Sequence, residues 1–201
     1  MAFTNFDTKE INCKILYLGP QGAGKSMNLR KILELSSPHL ELELTSLAPN
    51  VSSGREYFEF LPISLGKVLD FHIKLHLYTL PLNSLFDSLT SVVLKGVDGF
   101  VFVADSRVDR LSHNVEALES AKKILGTQGI VVSNTPSVIQ FNKRDDATAV
   151  SSQILSSHLN PYQTAEIEAS ASKGQGVLET LKEIAKQVIK GIANSEPAVN
   201  G

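Results

Sequence analysis

Apolar positions along this chain fall into two rhythms, one of strands and one of helices. Residues 13–18 are mostly apolar and end at Gly19, the pattern of a buried strand. Residues 25–35 set Met27, Leu29, Ile32, Leu33 and Leu35 among Lys and Arg, which predicts a helix stopped by Ser36-Ser37-Pro38. Residues 40–54 read as a loop or weak strand, 55–61 as a strand and 62–70 as the turn after it. Residues 71–79 alternate cleanly, with Phe71, Ile73, Leu75 and Leu77 on one face and His72, His76, Lys74 and Tyr78 on the other. Further strands are predicted at 100–104, 137–141 and 163–167, and helices around 86–95, 108–125, 150–158 and 177–192. The last helix gathers Val177, Leu181, Ile184 and Val188 on one side.

Strands alternating with helices predict an α/β fold, with a mixed, mostly parallel central sheet and helices on both faces. No interior linker or repeat interrupts the pattern, so 1–193 is expected to be one domain and 194–201 a disordered polar tail. Composition narrows the function. The formal charge of -2 gives no positive field for nucleic acid. The five His lack metal-ligand spacing, and His72 and His76 are expected on a solvated or partner-covered strand face. Cys13 is the single cysteine, expected to be a small buried residue in a reducing cytoplasm. There is no signal core, membrane-length run or lipidation motif, so no direct membrane insertion is expected.

The chemistry concentrates at Gly19-Pro20-Gln21-Gly22-Ala23-Gly24-Lys25-Ser26, which matches G-x-x-x-x-G-K-[S/T] between a predicted strand and a predicted helix. Glycines let the backbone wrap phosphates, and successive N–H groups with the helix N-terminus face the negative charge. The candidate phosphate set is Gly19, Gln21, Gly22, Ala23, Gly24, Lys25, Ser26 and Met27, with Lys25 on the β- and γ-phosphates and the Ser26 hydroxyl on Mg²⁺. Asn142-Lys143-Arg144-Asp145 follows a later apolar strand. A carboxylate at Asp145 can accept two hydrogen bonds from guanine, whereas adenine offers no such paired donors. Asn142 is expected to tie this loop to the phosphate loop, and the Lys143 stem to stack on the base. A third segment, Glu168-Ala169-Ser170-Ala171-Ser172-Lys173, resembles the E-x-S-A-K element of small GTPases, whose backbone amides contact the guanine oxygen. Ser172 stands where those proteins usually carry Lys.

With these pieces in order the chain resembles the Ras-like P-loop small GTPases and, more closely, the bacterial MglA family. The resemblance is carried by Glu10-Ile11-Asn12-Cys13-Lys14-Ile15, Phe60-Leu61-Pro62-Ile63-Ser64-Leu65-Gly66 and His76-Leu77-Tyr78-Thr79. Leu94-Lys95-Gly96-Val97-Asp98-Gly99 and Val101-Phe102-Val103-Ala104-Asp105-Ser106 extend it, and it covers nearly the whole chain. It implies a P-loop small-GTPase fold, GTP/GDP and Mg²⁺ as ligands, and a role in cell polarity, gliding and type IV pili. It also implies effectors that read segments 47–54 and 80–87, a dimeric MglB-like activating protein, and recruitment from the cytoplasm to a cell pole.

The departures from the family concern hydrolysis. Where MglA-like proteins carry T-x-P-G-Q, this chain has Thr79-Leu80-Pro81-Leu82-Asn83. Thr79 keeps the family's residue, expected to reach Mg²⁺ through water, but Leu82 replaces Gly, and Asn83 replaces the Gln that orients the attacking water. Gly54 takes the position of the family's catalytic Arg, leaving Arg55 beside it. Arg55 is either brought to the phosphates by a small loop rearrangement or is an exposed strand-end residue. Arg55 and Asn83 are the candidate catalytic residues. Two functions follow: a slowly hydrolysing GTPase switch, or a pseudo-GTPase scaffold that binds nucleotide without significant turnover. A P-loop kinase would need an acceptor site and an Arg-bearing lid, and the sequence offers neither.

Overall fold

The computed structural model describes residues 3–5, 7–36, 43–47, 58–68, 70–80, 82 and 88–195. In chain order the strands are β1 (Phe3–Asn5), β2 (Glu10–Leu18), β3 (Thr45–Leu47), β4 (Phe58–Val68), β5 (Phe71–Thr79), β6 (Gly99–Asp105), β7 (Ser137–Asn142) and β8 (Ala165–Glu168). The helices are α1 (Lys25–Ser36), α2 (Ser88–Leu94), α3 (Leu111–Gly126), α4 (Ser152–Leu159) and α5 (Val177–Ser195). The sheet order is β3-β4-β5-β2-β6-β7-β8. Strands β5, β2, β6, β7 and β8 run parallel, β3 and β4 join antiparallel, and β1 pairs antiparallel with residues 10–12 of β2.

Alternation along the central strands divides the core. Cys13, Ile15, Tyr17, Val101 and Val103 pack with Leu29 and Ile32 of α1 and with Val177, Leu181, Ile184 and Val188 of α5. On the opposite face Leu16, Leu18, Phe100, Phe102 and Phe141 pack with α2, α3 and α4 through Val93, Leu118, Ile124 and Leu155. Every residue of β6 and β7 is buried, as expected of parallel strands covered on both sides. Cys13 is fully enclosed, and burial pushes its thiol up to about 12, so it remains a protonated core residue. On the half-open face of β5, His76 Nε2 is 2.9 Å from Asn12 Oδ1.

Several sequence expectations change. Residues 62–68 are strand where a turn was expected: β4 continues through Pro62 to Val68, paired with β5, and of the expected turn only Asp70 is turn among the described residues. Pro62 lies beyond the stretch of β4 that β3 covers, so its missing N–H falls where an edge tolerates it. The turn-like glycine, Gly66 (φ 85), closes a bulge after Ser64. Strand β1 was not expected at all. A 3-10 turn at Val108–Arg110 precedes α3 in place of an uninterrupted helix. Helix α5 runs to Ser195, so positions 194 and 195 of the expected tail are helical, and the rest of the tail lies outside the described residues.

One buried polar network crosses the layers. Asn28 on α1 and Gln140 on β7 exchange side-chain amide hydrogen bonds of 2.8 and 2.9 Å. Gln140 Nε2 also donates to Thr180 Oγ1 on α5 at 2.9 Å, and Thr180 Oγ1 donates to Gly176 O at 2.6 Å. Gln140→Leu is therefore expected to lower the unfolding free energy by about 2–4 kcal/mol, because Asn28 and Thr180 each lose a buried partner. Urea unfolding measures this, and an unchanged midpoint would show that the network adds no net stability.

Candidate functional site

The phosphate-loop sequence leaves β2 at Gly19 and enters α1 at Lys25. Its first and third glycines are there for close approach. A Cβ on Gly19 (φ +140) would stand 2.2 Å from Val103 O of β6, and one on Gly24 (φ +105) would stand 2.2 Å from Asn142 Nδ2. The Lys25 side chain folds back into the loop, with Nζ donating to Gly19 O (3.0 Å) and Pro20 O (2.9 Å) in a residue only 4% exposed. Ser26 is half-buried and Met27 exposed at the start of α1.

Asn142 joins three segments. Its Nδ2 donates to Ala23 O at 2.7 Å, and its Oδ1 accepts from Ala171 N at 2.9 Å. The phosphate loop, the Asn142–Asp145 loop and the Ser170–Ser172 segment are thus bound to one side chain; of these ties the sequence suggested the one to the phosphate loop. Beyond it Lys143 takes a left-handed backbone (φ 64) and donates from Nζ to Asp105 Oδ2 at 2.7 Å. Asp145 accepts from Ser170 Oγ at 2.7 Å and lies 3.6 Å from Lys173 Nζ. The Ser170 hydrogen bond, with help from Lys173, holds the Asp145 carboxyl below the usual carboxylate range, so at neutral pH it is a pure acceptor.

Between these segments opens a cleft of about 430 Å³, lined among others by Gly22, Met27, Lys143, Asp145, Ala171 and Ser172. That volume lies within the common range for small-molecule sites, roughly 300–1,000 Å³. Its wall includes the open, positive-φ side of Gly22, where nothing stands within 4 Å of a built Cβ. The lining suits a purine nucleotide: phosphate-loop backbone at Gly22 and Gly24, and an ionised carboxylate at Asp145.

Thr79 lies apart from that cleft lining, at the end of β5, where its Oγ1 accepts from Glu59 N at 2.9 Å. Across from it, Glu59 is 8% exposed and its Oε2 is buried without a hydrogen-bond partner among the described residues, while Arg30 on α1 approaches Oε1 at 3.7 Å. Arg30 is one helical turn beyond Ser26, so Glu59 meets the α1 face that begins at Ser26. Leu82 is buried among Phe58, Leu80 and Val93. Arg55 and Asn83 lie outside the described residues.

Sequence reasoning did not anticipate Asp105, Arg107, Arg110, Ser170 as an Asp145 partner, or Lys173. Asp105 closes β6 with its side chain fully buried, accepting from Arg107 Nε (3.1 Å) and Nη2 (2.8 Å) besides Lys143. Burial alone would push this carboxyl up, but the hydrogen bonds from Arg107 and Lys143 outweigh it and hold the group below its ordinary value. The only signal in the sequence was a charged residue ending an all-apolar strand.

No protein-family model matches the chain. Among curated proteins it is 41% identical over 189 residues to the "Mutual gliding-motility protein MglA" of Myxococcus xanthus, an alignment that covers 94% of this chain and 96% of that protein.

Proposed function

Because the chain belongs to the MglA family of Ras-like small GTPases, we propose that it is a guanine-nucleotide switch that regulates gliding and type IV pilus motility and cell polarity, with slow GTP hydrolysis. The observation that carries this reading is the Asn142 bridge, which ties the phosphate-loop sequence to the two base-loop segments around one cleft. GTP or GDP would lie along it. Gly19, Gln21, Gly22, Ala23, Gly24 and Met27 supply the backbone cradle, and Lys25 the ammonium. Lys143 stacks on the base through its stem, Asp145 accepts from guanine, and Ser170, Ala171 and Ser172 face the guanine oxygen.

Magnesium, when bound, neutralises phosphate charge. Oxygen ligands suit a hard cation: the Ser26 hydroxyl and Thr79 through water, with the Glu59 carboxylate beside Thr79. γ-Phosphate contacts would order the segments around 47–54 and 80–87 for effector binding, with Arg55 and Asn83 the candidates for the hydrolytic step. Among the described residues no helix is long and apolar enough to cross a membrane. The family reading adds recruitment from the cytoplasm to a pole by partners and a dimeric MglB-like activator.

Leu82 favours one further reading. Where the family has Gly, this side chain is packed into the core, and a segment so anchored fits a scaffold that binds nucleotide without cycling. Single-turnover hydrolysis separates the two. The switch reading expects GDP to accumulate slowly from bound GTP, with a rate that rises when an activating partner is added. No product after hours, with and without partner, would leave the scaffold.

A further inference from the structure

Resting on the nucleotide reading above, we propose that Arg110 is a γ-phosphate sensor supplied from within the chain, distinguishing GTP from GDP. Three consecutive carbonyls at the start of the phosphate loop carry two cations. Gly19 O and Pro20 O accept from Lys25 Nζ at 3.0 and 2.9 Å, and the next carbonyl, Gln21 O, accepts from Arg110 Nη2 at 3.1 Å. Successive residues are about 3.8 Å apart, so the guanidinium reaches the loop one peptide step from the carbonyls that hold the ammonium. A lysine in this motif reaches the β- and γ-phosphates, so Lys25 marks the phosphate end and Arg110 flanks it.

The guanidinium is placed firmly but not satisfied. Arg110 N donates to Arg107 O at 3.0 Å, closing the 3-10 turn that leads into α3. Asn114, one turn further, clamps the end of β6 by accepting from Asp105 N (2.9 Å) and donating to Asp105 O (2.8 Å). The nearest counter-ion is Asp105, but both its carboxylate oxygens are taken by Arg107, and Lys143 shares Oδ2. Arg110 Nε stands 3.9 Å from that Oδ2, beyond hydrogen-bond reach, and is buried without an acceptor among the described residues. One carboxylate therefore faces three cations. The surplus positive charge is what an anion arriving beside Lys25 would offset, and a guanidinium fork can grip two phosphoryl oxygens at once. In the sequence, Gly54 takes the position of the family's catalytic Arg.

The test is equilibrium titration of the full chain with fluorescent GDP and fluorescent GppNHp in the presence of Mg²⁺, for the parent protein, Arg110→Ala and Arg110→Lys. The expected result is a loss of about tenfold or more in GppNHp affinity for Arg110→Ala, the scale of one charge-assisted hydrogen bond, with GDP affinity within about twofold. Arg110→Lys should recover part of the difference. If the two affinities fall together, or neither changes, Arg110 only braces the loop and the proposal is overturned. A parent protein that binds neither nucleotide would refute the nucleotide reading itself, and this inference with it.

Discussion

Replacing Lys25 with alanine is expected to abolish measurable GTP binding, a weakening on the order of 10²-fold or more. The ammonium is buried at 4% exposure and donates to two loop carbonyls, Gly19 O and Pro20 O. It stands in a partly water-excluded site, where attraction to phosphate oxygens is stronger than in bulk. The variant also strips Gly19 O and Pro20 O of a donor, so some stability is lost along with affinity. Thermal unfolding without nucleotide measures the first effect, and titration with fluorescent GTP the second. Unchanged affinity in a folded Lys25→Ala protein would refute the phosphate-site assignment.

Asp145→Asn is expected to cost roughly 10²-fold in GTP affinity, because guanine's two donors need two acceptors and the amide offers one. The same change should raise affinity for xanthosine triphosphate, whose ring carbonyl can accept from the new amide. The parent site is built for the ionised form: Ser170 donates to Asp145 and Lys173 stands behind it. Competition among GTP, ATP and xanthosine triphosphate reads this out. A parallel loss for guanine and adenine nucleotides would argue that Asp145 shapes the loop without reading the base.

The contrast between legible and illegible features follows the reach of the interactions. The phosphate loop was legible because its eight residues are contiguous and form a complete pattern by themselves, although the close approaches that require its glycines, Gly19 to Val103 and Gly24 to Asn142, come from distant strands. Asn142 was legible because its partners, Ala23 and Ala171, belong to segments that carry their own patterns. The course of β4 was not. Pro62 and Gly66 are turn signals locally, and only the sheet reveals that one sits at an edge and the other at a bulge. Strand β1 is three residues long with no alternation to detect. Arg110 and the Asn28–Gln140 pair were beyond sequence reasoning for a different reason. Their partners lie 89 and 112 residues away, and nothing but the order of the parallel strands brings them together.

The amide relay from α1 to α5 has a consequence for how this molecule opens. Asn28 Nδ2 also donates to Gly24 O at 3.0 Å, so the third glycine of the phosphate loop, β7 and the turn ahead of α5 hang on one continuous chain of hydrogen bonds. They should behave as a single cooperative unit in hydrogen exchange, protected and released together. A ligand that tightens the loop then slows the fraying of the C-terminal helix, and by linkage anything that grips that helix tightens the hold on the ligand.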